Sequence, residues 1–337
     1  MKGDREREKR GADQGKISDT NRRSPKEIYM NPPRQHHYVP STYLDLFKIP
    51  GTKKVAVLDK ATLDTRCQIP DKIMRSRDFY RQEPVSEERG EYHFENFMGT
   101  SIEPQIKYLI TKIIKEPQDL TDDELLLFIG HLTLQRIKVP KQLKIAKIIG
   151  KTIVENAAMK IPEVADGLRK KQFTIVIKDQ ILFNHMRAAL SVGLYRYFLR
   201  MIWNVWAIPN EMHLITSDNP VTIFNPYFLD ENLEPGIGLL GSIVLYPLCP
   251  RHCLMLTHPE SETEDGFDPL QPIEAPPRGI DHRILIRGDR TLPPEMAETC
   301  NRVIALYSDR FLVSGDVKTL ENIKNTMLGQ ESKSHQS

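Results

Sequence analysis

The chain has 337 residues, a formal net charge of +2, 39% hydrophobic and 27% charged residues. That composition belongs to a globular protein with room for one large or two ordinary domains, and it excludes a low-complexity polyelectrolyte. No run approaches the ~18 uninterrupted apolar residues of a membrane span. The charged opening M-K-G-D-R-E-R-E-K-R is no export signal and the four cysteines are scattered, so a cytoplasmic protein with reduced thiols and no membrane attachment is expected.

Residues 1–33 are rich in charge and poor in large apolar side chains, so they cannot bury enough surface to offset ordering entropy and are expected to form a disordered tail. Residues 34–325 carry no repeat and no low-complexity linker, which predicts one domain, with a second tail over 326–337. Within the domain, Val55 to Leu58, a turn, and residues 65–69 predict a strand–turn–strand unit. R-D-F-Y (77–80) and an acidic loop follow. A helix is expected over residues 91–114, with Gly99 and Pro104 as points of interruption. Thr121 with Glu124 reads as a capping box, heading a buried apolar helix that ends at Val139-Pro140.

A third helix is predicted over residues 141–160, where Ile145, Ile148, Ile149 and Ala157 recur near the helical period. A fourth is predicted over 181–200, burying Met186, Leu190, Leu194 and Phe198. The pattern then changes to short β-rich runs broken by Pro, Asn and Gly over 203–257, a helix over 294–306 and the strand 311–314. Strands at both ends around a helical middle predict an α+β fold, its mostly antiparallel sheet built from N- and C-terminal strands and packed on the central helices.

His36 and His37 open the domain in R-Q-H-H-Y-V-P. Adjacent residues of an extended segment point to opposite sides, and Pro40 keeps Val39 extended. Either imidazole is a candidate general base or metal ligand; the alternative is that one ring packs and hydrogen-bonds while the other is exposed. The pair resembles the first element of an HNH nuclease hairpin, but the Asn and helical His of that motif do not follow. Glu95 and Glu103 stand eight helical positions apart, within about 80° of each other round an unbroken axis. An ordinary solvated face is the alternative for them.

Gln135 and Arg136 close the apolar helix, where a guanidinium needs a carboxylate or a substrate oxyanion; a structural Glu103–Arg136 ion pair stands beside substrate binding as the expectation. T-S-D-N-P places Asp218 and Asn219 at a strand end, as an Asx turn or as part of a site. Cys249, His252 and Cys253 lack the second ligand pair of a structural zinc site. No phosphate-cradling glycine loop, nucleophile elbow or dinucleotide fingerprint is present. Lys141, Lys144, Lys147 and Lys151 lie within roughly 120° on the third helix, as a phosphate-tracking stripe or a solvated face.

The ordered blocks H-H-Y-V-P-S-T-Y-L-D-L-F, R-D-F-Y, S-I-E-P, Q-R-I-K-V-P, T-S-D-N-P-V and Y-P-L-C-P resemble the domain of unknown function 4238, a broad, mainly microbial family. The resemblance implies that these blocks share one domain and carries no reaction with it; this chain has Ser41 where the family pattern has Gln or a similar polar residue. The residues themselves point to a hydrolase-like, nuclease-like pocket. In it His36 or His37 acts as base or ligand, Glu103 and Asp218 hold a divalent cation such as Mg or Mn, and Gln135, Arg136 and Asn219 meet the substrate. The alternatives are a non-catalytic nucleic-acid- or protein-binding module using the lysine helix, and a purely structural polar network.

Overall fold

The computed structural model describes residues 34–82, 91–228, 234–263, 266–274 and 284–334. The tail expected over residues 1–33 lies outside these. Pairing begins at the histidine motif: β1 (Gln35–His37) runs antiparallel to β4 (Arg75–Arg77), with His36 opposite Ser76 and His37 opposite Arg75. Pro40 then turns the chain into the short helix Ser41–Leu44, which sinks Tyr43 and Leu44 into the core beside Phe47.

β2 (Val55–Asp59) is buried along its whole length, as a central strand covered on both faces must be. It sits between β3 (Asp64–Gln68) and β11 (Phe311–Ser314), and β6 (Thr216–Ser217) completes a four-stranded antiparallel sheet in the order β3-β2-β11-β6. N- and C-terminal strands are thus hydrogen-bonded to each other. A five-stranded sheet has the order β10-β5-β9-β8-β7, from β5 (Ile202–Ala207), β7 (Thr222–Phe224), β8 (Ile243–Cys249), β9 (His252–Thr257) and β10 (Ile286–Thr291). Its pairs are antiparallel except β10 on β5. The fold is α+β, and residues Gln35–Ser337 form one compact unit.

The helical middle packs on the five-stranded sheet. In the helix Asp122–Ile137 the Thr121 hydroxyl accepts from the Glu124 amide and the Glu124 carboxylate accepts from Thr121 N–H, so the predicted capping box is present. Phe128 from this helix meets Trp203 and Tyr246 of the sheet at ring-centroid distances of 5.8 and 6.1 Å. Such pairs contribute about 0.5–1.5 kcal/mol beyond area burial. The helix expected over 91–114 is interrupted where expected: His93–Phe97, a π-turn Met98–Ile102 and Glu103–Lys115, with Pro104 in the first turn of the last.

Three expectations are corrected. The helix over 181–200 is two, Ile181–Ser191 and Leu194–Arg200, because Gly193 adopts φ +78, a left-handed conformation that ends a right-handed helix. In its stripe Met186, Leu194 and Phe198 are buried but Leu190 is exposed, and in the helix Pro140–Ala158 both Ile148 and Ile149 face water. The last helix, Val317–Ser334, runs through most of the stretch expected to be a C-terminal tail, leaving 335–337 outside the described residues.

Candidate acid–base site at the histidine ribbon

Alternation along β1 separates the two histidines. His36 is fully buried, stacked on Tyr80 at 5.8 Å and edge-on to Tyr92 at 5.5 Å. Its Nδ1 accepts the Tyr80 backbone N–H at 2.8 Å, so that nitrogen carries a lone pair committed to the backbone. His36 is therefore built to hold the R-D-F-Y segment, not to meet a substrate. His37 points the other way, partly exposed, with Nε2 3.1 Å from the Asp71 carbonyl. Nε2 donates to that carbonyl, which leaves Nδ1 as the basic atom.

Directly inside the ribbon lies Lys138, with no exposed surface. Its Nζ is 3.3 Å from Glu103 Oε1 and 5.8 Å from the centre of the Tyr80 ring. The Tyr80 hydroxyl in turn donates to the Lys138 carbonyl at 2.6 Å, so the aromatic ring and the lysine fix each other. Glu95 shares the field of this ammonium and accepts the His37 backbone N–H. Burial pushes the Glu95 carboxyl from 4.5 to about 7; Lys138 pulls it down and Glu103 pushes it up, and burial wins. Among the described residues Glu95 Oε2 and Gln135 Oε1 are buried without a hydrogen-bond partner. The Gln135 amide donates to the Tyr38 carbonyl at 2.8 Å, tying the helix end to the same ribbon. Glu103 and Lys138 both act on the Glu95 carboxyl, and a π-turn rather than an unbroken helix separates Glu95 from Glu103.

Arg136, two residues before Lys138, serves a different cluster. Its Nη2 pairs with Glu234, and its Nη1 is 3.5 Å from Asn219 Oδ1 and 3.4 Å from the Val221 carbonyl. The expected Glu103–Arg136 pair is thus corrected to Glu234–Arg136, with Glu103 taken by Lys138. Glu234 also accepts from Lys141 at 2.8 Å, Gln142 at 3.0 Å and Asn219 at 3.2 Å. Burial pushes its carboxyl up, but Arg136 and Lys141 outweigh burial and hold it below the usual carboxylate range. His185 closes the chain on Gln142 at 3.0 Å. Each of these polar groups is paired among the described residues, and the buried Arg136 guanidinium is engaged by Glu234, Asn219 and Val221.

Asp218 is fully enclosed and accepts three backbone amides, from Asp309 at 2.8 Å, Arg310 at 2.6 Å and Phe311 at 2.8 Å. Burial raises its carboxyl from 3.8 to about 6 against the pull of those amides. The T-S-D-N-P turn is therefore the clasp between β6 and the start of β11. Burial raises the Tyr38 hydroxyl, and the Asp218 and Asp309 charges raise it further, so it stays a neutral phenol.

The lysine stripe is stitched into the protein. Lys141 binds Glu234 at 2.8 Å, Lys144 binds Asp309 at 2.6 Å, Lys147 binds Asp179 at 2.5 Å, and Lys151 sits 3.7 Å from Glu155. All four cysteines are free thiols. No group of three or more His, Cys, Asp or Glu able to hold a metal occurs among the described residues. A groove of about 660 Å³ bordered by Lys60, His213, Arg302, Ile323 and Met327 contains none of the candidate residues; its Lys60 is saturated by Ala305 O, Ser308 O and Ser308 Oγ.

Of the residues singled out in the sequence, Glu103 and Gln135 lie at the Lys138 site with His36 supporting it. His37 reaches the site only through its backbone N–H while its imidazole turns to Asp71, and Arg136, Asp218 and Asn219 belong to the neighbouring structural clusters. Lys138 and Glu234 carry no sequence signal strong enough to find them, beyond a lone lysine at the end of a very apolar helix. No helix among the described residues is long and apolar enough to cross a membrane. A family model described as a protein of unknown function, DUF4238, matches residues 35–318. No curated protein and no solved structure matches the chain.

Proposed function

The chain belongs to the DUF4238 family, whose description assigns no reaction, and from its own residues we propose that it is a hydrolase acting on nucleic acid, with Glu95 as general base. The observation that carries this reading is the Glu95 carboxyl, lifted to about 7 by burial and left with one oxygen unpartnered beside Lys138 and Glu103. A general base works best when its pKa lies near the working pH. Glu95 would take a proton from the attacking water while Lys138, held from beneath, offsets the charge of the two carboxylates. The His37 imidazole, turned to Asp71 on the other side of the strand, is a more remote proton carrier.

One carboxylate suffices for Mg or Mn when substrate phosphates and water complete the shell, so Glu103 is the residue that would hold such a cation while Glu95 stays free as base. Support for a phosphodiester substrate comes from the ribbon itself. Arg75 is the cross-strand neighbour of His37, and Arg77, which is exposed, is that of Gln35. Guanidiniums there suit phosphate oxygens. Both basic sets are ion-paired, but the guanidinium contacts are long, 3.9 Å for Arg75–Asp71 and 3.7 Å for Arg77–Asp78. Lys141, Lys144 and Lys147 hold their carboxylates at 2.8, 2.6 and 2.5 Å. The arginines are thus the more readily exchanged onto phosphate, and the basic-helix binding module is the less supported alternative.

The test is cleavage of single- and double-stranded DNA and RNA by the purified chain with Mg, Mn or a chelator. Wild type is expected to cleave with a rate rising through about pH 7, and Glu95→Gln to lose at least ~100-fold. His37→Ala should lose less. No cleavage by wild type, or equal cleavage by Glu95→Gln, overturns the proposal; equal cleavage by His37→Ala removes only His37.

A further inference from the structure

Two of the four thiols meet in the interior. Cys253 stands on β9 and is fully buried, and Cys300 stands on the helix Pro294–Tyr307 with 4% of its surface exposed. Both belong to one small apolar cluster, together with Leu245 of β8 and Ala297 of the same helix. Within it the two side chains are hydrogen-bonded to each other: the Cys253 S–H donates to the Cys300 sulfur. The Leu254 carbonyl, 3.6 Å from Cys253 Sγ, is the other acceptor in reach of that thiol. A lone buried cysteine behaves as a small apolar side chain, but two sulfurs in contact are one oxidation away from a covalent bond.

The contact divides the roles between them. The donated proton favours the thiolate at Cys300 and holds its thiol below the usual cysteine range, whereas the same hydrogen bond, and then burial, push Cys253 up. The thiolate is the form an oxidant attacks, and a neutral thiol beside it is placed to resolve the product. Cys300 also keeps a sliver of surface where Cys253 has none, so an oxidant as small as hydrogen peroxide meets Cys300 first. The other two cysteines are placed differently. Cys67 is exposed on β3, and Cys249 lies outside the cluster, its Sγ 3.6 Å from His252 Nδ1 and its thiol raised by burial.

We propose that Cys253 and Cys300 form a modification site, a reversible disulfide made when the chain meets hydrogen peroxide. The Cys300 sulfur attacks one peroxide oxygen, the O–O bond breaks, and the departing hydroxide takes up a proton as water, leaving a sulfenic acid on Cys300. The Cys253 sulfur then attacks the Cys300 sulfur. The S–O bond breaks, and hydroxide leaves as a second water with the proton of the Cys253 thiol. The thiol pair gives up two electrons and one peroxide becomes two waters. The new bond ties β9 to the helix Pro294–Tyr307. Through Asn301 that helix already braces the strand leading to the Asp218 turn, accepting from Ile215 N–H at 3.0 Å and donating to the His213 carbonyl at 2.9 Å. A tie between positions so far apart in the chain restricts the unfolded state, so oxidation stabilises the fold. The site is independent of any reaction at Glu95.

The test treats the folded full chain with excess hydrogen peroxide, unfolds it in urea with an alkylating reagent, and reads the cysteine peptides by mass spectrometry. In wild type the Cys253 and Cys300 peptides are expected to be joined, and dithiothreitol to return both as free thiols. The oxidised chain is expected to unfold at a higher urea midpoint than the reduced one. Cys67→Ser with Cys249→Ser leaves only the buried pair, and should form the same bond. Cys300→Ser should leave Cys253 unjoined; because that position is buried, the Cys67→Ser, Cys249→Ser chain decides the matter where Cys300→Ser does not fold. Cys253 and Cys300 both still free once Cys67 has been oxidised overturns the proposal. So does a Cys300 carried on to the sulfinic acid beside a free Cys253, or a wild-type chain in which either is joined to Cys67 or Cys249 instead.

Discussion

Lys138 Nζ lies 3.3 Å from Glu103 Oε1, and the lysine has no exposed surface while the Glu103 side chain keeps 20% of its own. One partner is thus wholly removed from water and the other is not. The ammonium depends on the carboxylate more than the carboxylate depends on it. Removing Glu103 strands a buried charge, whereas removing Lys138 leaves a carboxylate that water still reaches. Glu103→Gln is therefore expected to cost about 3 kcal/mol and Lys138→Met about 1–2 kcal/mol, with the double variant less harmed than the sum. A double-mutant cycle by urea denaturation measures this, and additive losses would show the pair to be uncoupled.

Glu95 gives the protein a pH-dependent stability whose sign follows from its environment. The folded carboxyl titrates at about 7 and its ordinary value is 4.5. Between those values the folded chain keeps a proton that the unfolded chain has released, so stability is full below about pH 4.5 and falls as pH rises to 7. Asp218, raised from 3.8 to about 6, acts in the same direction at lower pH. Glu95→Gln removes the first titration. The variant is expected to exceed wild type by roughly 2–3 kcal/mol at pH 8 and to converge with it near pH 5, by denaturation at both values. A constant difference between the two would refute the buried-carboxyl reading.

Arg136→Ala leaves Glu234 enclosed with Lys141, Gln142 and Asn219 as its remaining donors. A loss of about 3–4 kcal/mol is expected, with the Arg136→Met, Glu234→Met pair losing much less, since an apolar pair needs no hydration replaced. Thermal and chemical unfolding of the two variants decide it.

Asp218→Ala removes the acceptor of three amides at Asp309, Arg310 and Phe311. A destabilisation of about 3 kcal/mol is expected, together with faster hydrogen exchange at those three amides. Unchanged exchange there would show that the clasp is held by something else.

Arg75→Ala with Arg77→Ala is expected to lower the salt slope of nucleic-acid binding by about two, whereas Lys147→Ala with Lys151→Ala leaves it unchanged. The reverse pattern, read from affinity against salt concentration, would assign phosphate contact to the helix.

What the amino-acid order determined was everything that depends on near neighbours. The capping box at Thr121 and Glu124, the break near Gly99 and Pro104, and the opposed faces of His36 and His37 each follow from contacts within a few residues. The α+β class follows in the same way, from local periodicities added along the chain. Partners were another matter. Arg136 and Lys138 are two positions apart, so a helix end turns them to different sides, one to Glu234 and the other to Glu103. Nothing local states which carboxylate waits on which side. The tertiary structure also decided how far along the helix Pro140–Ala158 the core reaches: Gln142 and Ala146 are buried, whereas Ile149 and Ile153, within about 60° of them round the axis, face water. Periodicity marks a face as apolar; only the rest of the packed chain determines whether anything lies against it.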